Sequence, residues 1–78
     1  MPDLLLSHIL NYGKFSAVRN DYRAAAEFRE ICRIAKRNNA TTATRVGDSV
    51  ATYGSYMCIH NFEKAANELD YIKVLIKE

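Results

Sequence analysis

A chain of 78 residues, 49% of them apolar and 26% charged, makes one small domain and buries only about 60% of the surface its unfolded form exposes. That leaves little core to spare for a deep catalytic pocket, and a net charge of +2 argues against a dedicated polyanion binder. There is no basic leader and no apolar run near the ~20 residues of a membrane span, so the expectation is a soluble cytoplasmic protein without a membrane segment. The two cysteines, Cys32 and Cys58, occupy apolar helical positions and read as packed thiols of a reducing compartment rather than a disulfide framework.

Pro2 and Asp3 open a first helix whose apolar positions, Leu5, Leu6, Ile9, Leu10 and Tyr12, recur at helical spacing as far as Val18. Arg19, Asn20 and Asp21 break it. Either Asn20 or Asp21 caps a second helix with Ala24, Ala25, Phe28, Ile31, Cys32 and Ala35 in one stripe. The polar run Asn38, Asn39, Ala40, Thr41 and Thr42 reads as the main linker. A third helix carries Ala43, Val46, Val50, Tyr53 and Met57, and its glycines, Gly47 and Gly54, predict a second helix backbone close by. Asn61 caps the last helix, in which Phe62, Ala65, Ala66, Leu69, Ile72 and Ile76 share a face. The predicted fold class is all-α: four helices as two antiparallel helical hairpins, arranged as repeat-like units (about 4–37 and 42–77) or as a compact up-and-down bundle.

The two halves repeat. With Tyr12 laid on Tyr53, the segments 12–36 and 53–77 agree at Tyr12/Tyr53, Gly13/Gly54, Asn20/Asn61, Ala24/Ala65, Ala25/Ala66, Glu27/Glu68, Ile31/Ile72 and Lys36/Lys77. The segments Asn11-Tyr12-Gly13 and Asn20-Asp21-Tyr22-Arg23-Ala24-Ala25, followed by Phe28 and Cys32, resemble a tetratricopeptide repeat. So do Tyr53-Gly54 and Asn61-Phe62-Glu63-Lys64-Ala65-Ala66, followed by Leu69 and Ile72. The chain departs from that family in a period longer than the usual one, in having asparagine or histidine where turn glycines are common, and in lacking a closing proline. The resemblance implies helix pairs that stack into a superhelix, aromatics Tyr22 and Phe62 covering the joints, and a binding face on the leading helices formed by Lys14, Arg45, Asp48, Thr52, Ser55 and Tyr56. Two units are fewer than the three or so such repeats need, which implies self-association into a homo-oligomer or a large partner protein.

Charge is uneven: residues 1–45 hold eight Lys and Arg against four acids, and residues 46–78 hold three against five. Arg29, Arg33, Lys36 and Arg37 share one helix face, a stripe suited to phosphates or to an acidic protein surface unless it is simply solvated. Ala43-Thr44-Arg45-Val46-Gly47 has helix-turn-helix spacing, which Asp48 spoils at a position normally apolar. His8 and His60 stand in no metal-ligand spacing, and neither a glycine-rich phosphate loop nor a thiol–imidazole pair occurs, so no enzyme, metal or cofactor is expected. Tyr12, Tyr22 and Tyr53 fall near the packing stripes, whereas Tyr56 and Tyr71 lie at their edges and offer contact area to a partner. The expected function is a non-catalytic adaptor or regulator that binds a partner protein through a helical face. The alternatives are a nucleic-acid-associated regulator using the basic stripe, or a small inhibitor of a larger protein of the kind mobile elements encode.

Overall fold

A computed structural model describes residues 2–77, and these residues form four helices with no strand among them: α1 (Pro2–Ala17), α2 (Asp21–Asn38), α3 (Ala40–Cys58) and α4 (Phe62–Lys77). The polar residues that interrupt the apolar periodicity are the residues that terminate the helices. At the α1–α2 turn Arg19 adopts φ 58°, its N–H donates to the Ser16 carbonyl (3.1 Å), and the Asn20 N–H donates to the Phe15 carbonyl (2.9 Å). This is the Schellman pattern, which satisfies carbonyls that a helix end leaves unpaired. Asn20 then caps α2, its side-chain oxygen accepting from the Arg23 N–H at 3.3 Å.

The α3–α4 turn copies this bond for bond at the equivalent positions of the second half. His60 has φ 60°, its N–H donates to Met57 (3.0 Å), the Asn61 N–H donates to Tyr56 (2.9 Å), and the Asn61 side chain accepts from the Lys64 N–H (3.3 Å). The sequence repeat is therefore, at this level, a repeated turn. Arg19 and His60 stand in the left-handed region that glycine occupies more readily, a local strain the surrounding bonds hold in place.

The polar run from Asn38 to Thr42 is not a loop. α2 continues to Asn38 and α3 begins at Ala40, so Asn39 alone connects them, in an extended conformation (φ −160°, ψ 97°). Its N–H closes α2 on the Ala35 carbonyl (2.9 Å), while its side-chain oxygen accepts from the N–H groups of Thr41 and Thr42 (3.0 and 3.3 Å) and opens α3. One side chain that satisfies two donors replaces the expected linker.

α1 packs on α2 and α3 on α4; α3 also lies against both α1 and α2, whereas α1 meets α4 only marginally. The core joins Leu5 and Ile9, Ile31, Ile34 and Ala35, Val46, Val50 and Tyr53, and Ala65, Ile72 and Leu75, one group from each helix in turn. Ile9, Ile31, Val50 and Ile72 are fully buried. Some expected stripe members point elsewhere: Ala25 and Ala66 are exposed, and so is Leu10, beside the buried Ile9. The helix faces are narrower than the sequence pattern, because each outer helix is covered on one side only.

Helices α1 and α3 meet through a reciprocal pair. A Cβ built on Gly13 would fall 2.5 Å from the Tyr53 hydroxyl, and one built on Gly54 would collide with the Tyr12 ring. Thus each leading helix lodges its tyrosine over the other's glycine. The sequence reading of a close helix backbone is corrected here: an aromatic ring fills the space at Gly54, and at Gly47 the nearest atom is the Cys32 sulfur at 4.0 Å.

Burial pushes the phenols of Tyr53 and Tyr12 above their ordinary value of 10.0, with the Ser16 hydroxyl partly opposing the shift at Tyr12. A phenol with a raised folded-state pKa holds its proton more tightly when folded. Its stabilising contribution is complete below about pH 10 and is lost as pH rises through the folded pKa. The urea midpoint is therefore expected to fall above about pH 10, and the double variant Tyr12→Phe, Tyr53→Phe to flatten that fall. A double variant that loses stability as steeply would show that other groups drive the alkaline transition.

Candidate functional site: a groove between the first three helices

Near the Asn39 corner α2 and α3 are close together, with Cys32 facing Gly47. Toward the far ends of those helices a groove of about 580 Å³ is lined by Asp21, Ala24, Ala25, Phe28 and Arg29 of α2, and by Ala51, Gly54, Ser55 and Cys58 of α3. Tyr12 and Ser16 of α1 complete it. Small side chains make the cleft: four of its eleven lining residues are alanine or glycine, so the two walls stand back from each other. The Tyr12 ring leans on Phe28, with centroids 5.5 Å apart, and over Gly54, forming the wall between α1 and α3.

The electrostatics of the groove are simple. Asp21 and Arg29 stand about 12 Å apart along the α2 axis, so one part is acidic and another basic. The Ser55 hydroxyl donates to the Ala51 carbonyl at 3.1 Å and so belongs to its own helix. No three metal-ligating side chains converge among the described residues, and no helix among them is long and apolar enough to cross a membrane.

Of the six residues expected to form a partner face, Ser55 alone lines the groove. Lys14, Arg45, Asp48 and Thr52 are exposed, with the Thr52 hydroxyl donating to the Asp48 carbonyl at 3.1 Å. Tyr56 is half-buried, packs against the core, and lies beneath the Lys64 ammonium, 6.0 Å from its ring centroid. In the basic stripe Arg29, Arg33, Lys36 and Arg37 are all exposed, and Arg29 reaches the groove. Arg33 is engaged by Glu30 through two hydrogen bonds, one of them from Nε at 3.1 Å, and this holds the Glu30 carboxyl below the usual carboxylate range.

Sequence reasoning missed the exposed apolar side chains at the two turns: Val18 (72% exposed), Tyr22 (82%), Ile59 (68%) and Phe62 (55%). Tyr22 and Phe62 do not cover joints, as the family resemblance implied. Signals existed in the sequence: Val18 and Ile59 are equivalent positions of the two halves, and Tyr22, two positions before Ala24, falls on the side of the helix away from the packing stripe. The turns come together because His60 reaches across: its Nε2 lies 2.8 Å from the Ala17 carbonyl, as donor, and its ring stacks on Phe62 at 5.4 Å. His8 is half-buried, and its Nδ1 pairs with Glu27 Oε1 at 2.6 Å between α1 and α2. Compared with known proteins, the chain matches no family model, no curated protein and no solved structure.

Proposed function

We propose that this protein is a non-catalytic cytoplasmic binding module, an adaptor or regulator that holds a segment of a partner protein in the groove between α1, α2 and α3. The observation that supports it is the groove itself, about 580 Å³, whose lining is opened by the small residues Ala24, Ala25, Ala51 and Gly54. Such walls receive a bulky apolar side chain. Beyond Arg29 the exposed face of α2 continues with Lys36 one helical repeat on, so acidic residues following the apolar anchor meet cations rather than solvent. Tandem helical hairpins of the tetratricopeptide kind present partners with a concave face of this sort, and self-association would multiply it. The basic stripe favours nucleic acid less, because Glu30 engages Arg33 and partly neutralises the stripe.

Selection of peptides from a random library on the intact protein tests the reading. The expected peptides pair an aromatic or leucine anchor with Asp or Glu. Ala25→Trp, at an exposed position on the groove wall, is expected to weaken them about tenfold or more with little change in melting temperature. Selected peptides that bind this variant as tightly would remove the groove as the site. Steeply salt-dependent capture of nucleic acid, lost in Arg29→Glu with Lys36→Glu, would replace a protein partner with a polyanion.

A further inference from the structure

Asn39 is the only residue between two long helices, and the backbone on either side of it is already helical. Its N–H bonds the Ala35 carbonyl and its carbonyl accepts from the Ala43 N–H (2.9 and 3.1 Å), both four-residue helical bonds. Neither glycine nor proline occurs from Arg33 to Val46. Bringing Asn39 alone into helical geometry would turn the Ala40, Thr41 and Thr42 N–H groups onto the carbonyls of Lys36, Arg37 and Asn38. The bonds lost in exchange are those to the Asn39 side chain and the bond from the Thr42 N–H to the Asn39 carbonyl (3.2 Å).

The resulting helix, 21–58, would be about 57 Å long, against a longest molecular dimension of 30 Å. It would pull the hairpins apart and expose the packing of Tyr12 on Gly54 and Tyr53 on Gly13. Each hairpin is closed by its own Schellman turn and travels as a unit. A second copy of the chain offers the same surfaces in the same geometry, so every interface broken within one chain can be remade between two.

We propose that this protein forms a hairpin-exchanged dimer in which Asn39 straightens and α1–α2 of each chain packs on α3–α4 of the other. Exchange completes the groove from two chains, with Tyr12, Asp21 and Arg29 from one copy and Gly54, Ser55 and Cys58 from the other. The dimer then carries two grooves, each built by both chains, while an opened single chain carries none. Asn39 sets the balance, because its cap favours the bend and its side chain disfavours a helix interior.

Both variants lose the side-chain cap, but Asn39→Ala favours the straight helix, whereas Asn39→Gly is tolerated at a cap position and opposes the helix. By light scattering, Asn39→Ala is expected to tighten dimerisation at least tenfold over the wild-type chain and Asn39→Gly to weaken it. In a mixture of isotope-labelled and unlabelled chains, the contact from the Tyr12 ring to Gly54 is expected between chains in the dimer and within one chain in the monomer. Wild-type protein cooled from its melting midpoint at about 1 mM provides the same reading if Asn39→Ala does not fold. A dimer whose Tyr12–Gly54 contact stays within one chain, or wild-type protein that stays monomeric after that treatment, overturns the proposal.

Discussion

Gly13→Ala is expected to destabilise the protein by about 2 kcal/mol, lowering its melting temperature by roughly 10 °C, while Gly54→Ala is expected to be close to neutral. Both substitutions place a methyl group against a tyrosine ring, at Gly13 within 2.5 Å of the Tyr53 hydroxyl and 2.7 Å of a ring carbon. Both gain about 1 kcal/mol of helix propensity. What separates them is where the ring can go. Tyr53 is 5% exposed and surrounded by the core, so relief requires moving packed neighbours, and overpacking of this kind costs about 1–3 kcal/mol or more. Tyr12 borders the groove and can swing into it.

Two readouts follow from that difference. Urea denaturation would rank the single variants, and adding Tyr53→Leu to Gly13→Ala should reverse the sign of the alanine's effect, because the methyl group then has space and the helix gains propensity. Gly54→Ala should weaken groove binding even though it folds normally, since the displaced Tyr12 ring occupies the site. Equal stability losses in the two variants would mean that the groove gives the Tyr12 ring no escape.

Helix existence and helix ends were legible in the chain because the same residues carry both signals. Asn20 and Asn61 interrupt the apolar period and supply the oxygen that caps the next helix. Val46, Val50 and Tyr53 are buried as their spacing indicates. At 38–42 the reading failed for a physical reason: a run of polar residues with low helix propensity looks like a linker, yet one asparagine can end one helix and start the next, leaving its neighbours helical. The glycines announced a close approach but not what approached, since a ring and a backbone leave the same signature at Gly54. The groove was not legible, because it arises where α2 and α3 stand apart, and helix periodicity says nothing about the angle between helices. Nor was the role of His60, whose bond partner, Ala17, lies in the other half of the chain.

Ile72→Ala is expected to have the largest effect, about 3–4 kcal/mol, and to release α4 ahead of the rest of the protein. Ile72 is fully buried, and truncation of such a side chain removes its burial energy and leaves a cavity, together about 2–5 kcal/mol. A domain of this length has roughly 4–12 kcal/mol in all. Position in the fold decides how the loss is distributed. Ile31, its counterpart in the first half, is equally buried, but α2 rests on both α1 and α3, so Ile31→Ala should lower the stability of all four helices together. α4 rests on α3 and barely meets α1, so it can open while α1, α2 and α3 stay packed. Amide hydrogen exchange separates the two cases: Ile72→Ala should reduce protection in α4 by about a hundredfold beyond any change in α1 and α2, whereas Ile31→Ala should reduce protection throughout. Uniform loss in Ile72→Ala would make the four helices a single cooperative unit. The outcome bears on the groove as well, because its walls come from α1, α2 and α3 and not from α4. If α4 opens separately, Ile72→Ala should retain most of its binding to groove-selected peptides, and Ile31→Ala should lose binding in step with its fold.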